Sequence, residues 1–394
     1  MKKNLPLTLI FTVVFIDLLG FGLLIPILPA FATKQLNAPE SAVGLVIAAY
    51  SFTQFLCNPF FGSLSDKYGR RRIILWTLLI NAAGYVMFAF THTLWMLFLA
   101  RIVAGVGGSS IGVAQAYIAD VTTREERSKG MGLIGVAFGL GFVFGPPLGG
   151  LLSHFGYEVT GLVSASFSII AFFMSLFFLP ESRKAEQQAP QIKRKLIDID
   201  AFAKIAKSPS KAIAIMLFFV LTFSVANIYG TFPLLGTEVY GFTDMQNGYI
   251  FGIVGIIGAV IQGGLIGRLS KKYPDKTLIR VGAFFLIFGL GFIPFGSNFL
   301  GVVLVTIILS IGSGLLQPVL LSLVSKVSQD KEQGMVLGVN QSMASFARML
   351  GPLWGGFAFQ YLGYEIPFLT GAFFISLLFI FSVTYLSHHL PEVR

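Results

Sequence analysis

The sequence predicts an all-α polytopic membrane protein, with 12 transmembrane helices in two pseudo-symmetric six-helix bundles. Three observations carry that prediction. The chain of 394 residues is 55% hydrophobic and only 12% charged, with a mean hydropathy of +0.80, whereas soluble domains carry roughly 25% charged residues. Its apolar residues gather in runs of about 20, the length that crosses a bilayer as a helix. Finally, the second half of the chain repeats the first.

The spans fall at about 6–30, 42–61, 73–91, 94–117, 132–152 and 161–179 in the first half. In the second half they fall at about 212–236, 248–267, 278–296, 299–323, 335–359 and 366–386. Each run is continuous rather than alternating. That excludes a β-barrel, the other fold that satisfies backbone polar groups in lipid. Met1-Lys2-Lys3 before the first run resembles a secretion signal, but the run is too long and contains Asp17, so it reads as an uncleaved first span.

The net charge of +10 is distributed by topology rather than gathered for nucleic acid. Of the 28 Lys and Arg residues, 25 lie in the N-tail, the C-tail and the alternate loops on one side. The opposite loops hold only Lys34, and Arg101 and Arg348 lie inside spans. This is the positive-inside pattern, which predicts that both termini are cytoplasmic and that the basic face meets anionic lipid headgroups. Cys57 stands alone and the four histidines are scattered, so neither a disulfide nor a metal centre is expected.

Residues 181–211 carry eight basic and four acidic residues and divide the spans six and six. The predicted organisation is a first bundle at 1–180, a cytoplasmic linker at 181–211 with a short surface helix near its end, and a second bundle at 212–394. Val121–Gly150 and Val327–Gly356 align without a gap at an offset of 206. Gly145-Pro146-Pro147-Leu148-Gly149-Gly150 thereby falls on Gly351-Pro352-Leu353-Trp354-Gly355-Gly356. A parallel repeat implies two bundles related by an axis along the membrane normal, a cavity between them, and rocking between two access states.

Ionisable residues within spans are costly and mark function. Away from their ends the spans hold Asp17, Arg101 and Arg348. Counted along their helices at about 1.5 Å per residue, Asp17 and Arg101 reach similar depths, so they can pair within one bundle. Asp17 is expected to titrate the coupling proton with Arg101 as its counter-charge; the alternative is a static ion pair that fixes helix packing. Arg348 either contacts an anionic group of a solute or snorkels along a water-filled cavity. Polar residues that could line such a cavity are Gln54, Asn58 and Gln115 in the first half. In the second half they are Asn227, Tyr229, Gln262, Gln317, Asn340 and Gln341.

The loop after the second span reads Gly62-Ser-Leu-Ser-Asp66-Lys67-Tyr68-Gly69-Arg70-Arg71-Arg72, with five charges and a net +3. It resembles the signature of the major facilitator superfamily, Gly-x-x-x-Asp-Lys/Arg-x-Gly-Arg-Arg. The stretch Gly139-x-Gly141-x-x-x-Gly145-Pro146-Pro147-x-Gly149-Gly150 resembles that family's antiporter motif in span 5. Asp17-Leu-Leu-Gly20-Phe-Gly22 with Pro26 and Pro29, and Leu99-Ala-Arg101-Ile-Val-Ala-Gly105, resemble the first- and fourth-span motifs of its twelve-span drug:proton antiporters. Within that branch the chain is most similar to tetracycline efflux proteins, although spans 3 and 9 lack the acids those proteins carry.

The resemblance implies a transporter rather than an enzyme, one that exports amphiphilic organic compounds in exchange for protons without any cofactor. It implies that Asp66 caps the start of span 11, and that Arg70 pairs with Asp120 at the end of span 4, as a conformational switch involving Gly62 and Gly69. It implies close packing of span 5 on span 8 through Gly141, Gly145, Pro146, Gly149 and Gly150. A sugar or small-metabolite transporter and a lipid flippase of the same fold are the alternatives. The expected partners are a small-molecule substrate, protons and membrane lipids, the expected state a monomer, and the expected location a bacterial inner membrane.

Overall fold

The computed structural model describes residues 5–122, 124–182, 199–328 and 333–384, of which 124–132, 199–201 and 333–334 are described by backbone alone. No β-strand occurs among the described residues. In the first half the helices are α1 (Leu5–Leu24), α2 (Leu28–Leu36), α3 (Glu40–Tyr68), α4 (Arg70–Ala89), α5 (Leu94–Gly107), α6 (Ser110–Val121), α7 (Arg124–Leu152) and α8 (Tyr157–Phe178). In the second they are α9 (Ile199–Ala206), α10 (Pro209–Leu234), α11 (Asp244–Val260), α12 (Ile266–Lys272), α13 (Asp275–Phe292), α14 (Phe299–Lys326), α15 (Gln333–Tyr361) and α16 (Ile366–Thr384). The short helix expected near the linker's end is α9. Residues 183–198 of the linker and 329–332 before α15 lie outside the described residues.

Eleven of these stretches are long and apolar enough to cross a membrane. The remaining long helix, α15, spans 29 residues but carries Asn340, Gln341, Arg348 and several glycines, which lower its hydropathy. Where a span is split, the sequence supplies the reason. Pro26 sits at the break between α1 and α2 and cannot donate to the helical ladder. Gly108 sits between α5 and α6, where an added Cβ would strike the Tyr50 hydroxyl. Span 8 passes through a π-helical turn at Ile261–Leu265 before α12. Side-chain caps set several starts: Thr93 accepts from Met96 N before α5 and Asn298 from Gly301 N before α14. Thr243 and Gln246 form a reciprocal capping box at α11.

The chain divides into two compact units. The first comprises Met1–Ala38, Ala49–Ile197 and Asn247–Gly252; the second comprises Pro39–Ala48, Asp198–Gln246 and Ile253–Arg394. In the first unit α1 packs on α7 and α8, and α4 on α5 and α8. Ile10, Val14, Leu78, Tyr117 and Ile118 lie in its apolar core. In the second, α10 packs on α15 and α13 on α14 and α16.

The duplicated glycine–proline stretches occupy matching roles. In the first unit, a Cβ at Gly145 would lie 2.7 Å from Gly22 Cα, and one at Gly149 would overlap the Leu23 carbonyl oxygen. In the second, a Cβ at Gly351 would lie 2.9 Å from Asn227 N, and one at Gly355 would overlap Asn227 Oδ1. Helix backbones approach this closely only where no side chain intervenes.

Candidate functional site

Asp17 is 5% exposed on α1, and each of its carboxylate oxygens is engaged. Asn81 of α4 donates through Nδ2 to Oδ1 at 2.7 Å, and Ser168 Oγ of α8 donates to the same oxygen at 3.0 Å. Ser110 Oγ of α6 donates to Oδ2 at 2.9 Å. Asn81 Nδ2 also lies 3.4 Å from the hydroxyl of Tyr85, a fully buried ring. The backbone around Asn81 is clamped by Gly107, where a Cβ would collide with Asn81 N. Four helices thus converge on one carboxyl through neutral donors. The sequence could not show this, because Asn81, Ser110 and Ser168 carry no charge and lie far from Asp17 along the chain.

Arg101 on α5 is equally buried, at 5% exposure, but it does not meet Asp17 in a salt bridge. Its guanidinium carbon lies 4.5 Å from the centroid of the Tyr50 ring, a cation–π arrangement. Tyr50 in turn stacks on Phe21. Arg101 Nε and Nη1 make no hydrogen bond among the described residues. The carboxyl and the guanidinium thus engage different partners, Asn81, Ser110 and Ser168 for the one and the Tyr50 ring for the other. The matched depths read from the sequence fix height in the membrane but not rotation about the helix axis.

The loop after α3 is built as a charge cluster. Arg70 Nη2 contacts Asp66 Oδ1 at 2.6 Å, and Arg70 Nε donates to Asp120 Oδ2 at 3.0 Å. Arg70 Nη1 donates to Ser65 Oγ at 2.5 Å and to the Gly62 carbonyl at 3.3 Å. Gly69 takes φ +98°, the left-handed region that glycine enters without strain. Gly62, by contrast, has nothing within 4 Å of an added Cβ, so what it supplies here is its carbonyl.

Glu181, which sequence reasoning missed, completes the cluster. Its carboxylate accepts from the backbone N–H groups of Arg70 at 2.8 Å and Arg71 at 3.2 Å. An acid at a helix N-terminus satisfies unpaired donors and complements the dipole. Ser182 Oγ also donates to Asp120 Oδ2 at 3.1 Å, and Tyr117 Oη to the Pro180 carbonyl at 3.0 Å. The end of span 6 is therefore fastened to the loop. The available signal was an acid directly after Pro180, where the apolar run stops.

The second unit holds a counterpart with the charges exchanged. Asp275, 4% exposed at the start of α13, pairs with Lys326 Nζ at the end of α14 at 2.5 Å. Lys326 lies 206 residues after Asp120, the repeat offset.

Gly141, Gly145 and Gly149 pack on α1 through Leu18, Gly22 and Leu23. Span 8 meets the prolines instead: a Cβ at Gly248 would lie 2.5 Å from Pro146 O, and one at Gly252 2.7 Å from Pro147 Cγ. Gly150 is buried, its carbonyl accepting from Ser153 Oγ at 2.8 Å.

The residues expected to line a cavity separate by environment. Gln54 Nε2 donates to the Gly108 carbonyl at 2.8 Å, and Asn58 and Gln115 are half-buried. Asn227 is 1% exposed and donates to the Pro367 carbonyl at 2.6 Å, which makes it a packing residue joining α10 to α16. Asn340 is likewise 2% exposed. Gln262, Gln317 and Gln341 are exposed, and Tyr229 and Arg348 are half-buried. No group of three or more His, Cys, Asp or Glu among the described residues could hold a metal ion.

Comparison with known proteins agrees with this architecture. The chain is 32% identical over 366 residues to multidrug resistance protein 2 of Bacillus subtilis (strain 168), covering 91% of this chain and 90% of that protein. It is 31% identical over 356 residues to the class C tetracycline resistance protein of Escherichia coli, covering 90% and 89%. The crystal structure of the human organic anion transporter MFSD10 (TETRAN) superposes with a TM-score of 0.75 at 25% identity, covering 97% of this chain and 100% of that one. The family model described as Major Facilitator Superfamily matches residues 10–309 and 265–393; the chain belongs to this superfamily and is a multi-pass membrane transporter of small molecules.

Proposed function

We propose that this transporter exports amphiphilic organic compounds in exchange for protons, by alternating access. The observation that carries the reading is Asp17, a carboxyl 5% exposed whose hydrogen-bond partners among the described residues are Asn81, Ser110 and Ser168, all neutral. A buried carboxylate without a cationic partner is costly to ionise, so a change in its donors or its access to water exchanges a proton. Those donors come from α4, α6 and α8, so a rearrangement of the bundle necessarily alters the site. Arg101, buried on α5 of the same unit, is the cation that would receive the ionised carboxylate. The resistance proteins to which the chain is similar support the drug-export class.

The Asp66–Arg70–Asp120 cluster serves as the conformational switch, and the glycine–proline stretch of α7 as the close contact about which the bundle moves. Gln54, Asn58, Gln115, Tyr229, Gln262, Gln317, Gln341 and Arg348 supply polar groups to the substrate. The driving force is the proton gradient, with no cofactor. The protein acts as a monomer in a bacterial inner membrane, termini cytoplasmic and basic loops against anionic lipid.

Purified protein in liposomes holding an internal pH dye tests this reading. Addition of lipophilic drugs is expected to evoke proton flux in the wild type and none in Asp17→Asn. Equal drug-evoked flux from the variant, or none from the wild type across tetracyclines, quinolones and lipophilic cations, would refute it.

A further inference from the structure

Span 4 is broken between α5 and α6, and the break separates two residues that bear on Asp17. Arg101 lies on α5, which ends at Gly107, and Ser110 is the first residue of α6. On a continuous helix they would be about two and a half turns apart, so their side chains would stand on opposite faces. Here they face different helices. Ser110 Oγ donates to Asp17 of α1 at 2.9 Å, while the Arg101 guanidinium lies over the Tyr50 ring of α3.

The joint, Gly107-Gly108-Ser109, is wedged beside the Asp17 site. A Cβ at Gly107 would collide with the backbone of Asn81, whose side chain donates to Asp17 at 2.7 Å. The α6 ladder begins only at Ser110, so the Gly108 carbonyl lies ahead of it, and a donor arrives from another helix: Gln54 Nε2 of α3, at 2.8 Å. Helix α3 therefore grips span 4 twice, with Tyr50 on the arginine and Gln54, one turn further on, at the joint. Meanwhile Arg101 Nε, Arg101 Nη1 and Ser109 Oγ are buried and make no hydrogen bond among the described residues. Buried donors without acceptors are costly. An arrangement that gives the guanidinium the Asp17 carboxylate is thus favoured once α3 releases its hold.

We infer that Gln54 is a positioning residue for proton coupling: by holding the Gly108 carbonyl it latches the joint of span 4 and keeps Arg101 off Asp17. The inference rests on the export reading and deepens it. With the joint latched, the Asp17 carboxyl keeps its proton among neutral donors. With the joint free, α5 turns without carrying α6, and Asp17 passes from Ser110 to Arg101. Its O–H bond then breaks, the electron pair stays on the carboxylate and the proton goes to water.

Two readouts on reconstituted protein test this with Gln54→Met, which keeps the volume and removes the amide, and Gln54→Asn, which keeps the amide on a shorter arm. The first is protons moved per drug molecule, from both fluxes in the same liposomes. A residue that only binds drug or supports folding lowers both fluxes and leaves the ratio. Gln54→Met is expected to lower the ratio on the order of fivefold, the scale of one neutral hydrogen bond, and Gln54→Asn by less. The second is the protonated-carboxyl infrared band that Asp17→Asn removes, read without drug. It should weaken in Gln54→Met, because Arg101 then meets Asp17 at rest, and return in Gln54→Met/Arg101→Gln. If Gln54→Met does not fold, Gln54→Asn carries both readouts. An unchanged ratio and band in both variants, or a band weakened equally with and without Arg101, would overturn the inference while leaving the export reading intact. If Asp17→Asn exports drug with the wild-type ratio, the proton reading fails and the inference falls with it.

Discussion

Replacing Arg70 by Ala removes a guanidinium that holds Asp66 at 2.6 Å, Asp120 at 3.0 Å, Ser65 Oγ at 2.5 Å and the Gly62 carbonyl at 3.3 Å. The arginine side chain is 7% exposed, while Asp66 and Asp120 are 32% and 23% exposed. Breaking a fully buried ion pair by deleting one partner costs about 3–5 kcal/mol. Both aspartates here retain access to water, which screens the loss, so roughly 2–4 kcal/mol is expected. For a folding unit of this size about 2–4 °C accompanies each kcal/mol, so the apparent Tm should fall by roughly 4–16 °C in detergent. Differential scanning fluorimetry on purified protein reads this directly. Arg70→Lys should fall between, since an ammonium cannot reach two carboxylates in a fork. The double variant Arg70→Ala/Asp120→Ala should be less destabilised than the sum of the single changes by at least about 1 kcal/mol. A fall of under about 2 °C for Arg70→Ala, or strict additivity, would refute the cluster as a cooperative unit.

Further outcomes follow from the same contacts. Gly149→Ala drives a Cβ into the Leu23 carbonyl oxygen and should cost about 1–3 kcal/mol, whereas Gly62→Ala, with open space around it, should be neutral or stabilising by up to about 1 kcal/mol; thermal melts of the pair check the contrast. Glu181→Ala should lose about 1–2 kcal/mol by uncapping α4, visible as faster backbone amide exchange at its first turn. Lys326→Met leaves the buried Asp275 carboxylate without its cation and should cost about 1–3 kcal/mol, part of which Asp275→Asn in the same background should recover.

Much of this architecture was legible in the residues alone, and the reasons are specific. Continuous apolar runs fix helices in lipid, so the spans emerged without structural information. The pairing of Arg70 with Asp120 was expected because charges beside apolar runs stand out and matched a family signature, but that signature assigned Asp66 to the start of span 11, whereas here it pairs with Arg70 one helical turn away. What escaped notice was neutral or remote. Asn81, Ser110 and Ser168 resemble ordinary small polar packing residues until four helices bring them to Asp17. Asn227 looked like a cavity residue, but it is 1% exposed and its amide nitrogen donates to the Pro367 carbonyl. The exchanged-charge pair Asp275–Lys326 was hidden because the repeat preserves positions while reversing their signs.

The measurement that bears most directly on the central claim is infrared difference spectroscopy of the reconstituted protein on addition of a transported substrate. The account predicts loss of a protonated-carboxyl band in the wild type and no such change in Asp17→Asn. A substrate-evoked carboxyl band that persists unchanged in Asp17→Asn, or its absence from a wild type that is transporting, would contradict Asp17 as the proton carrier.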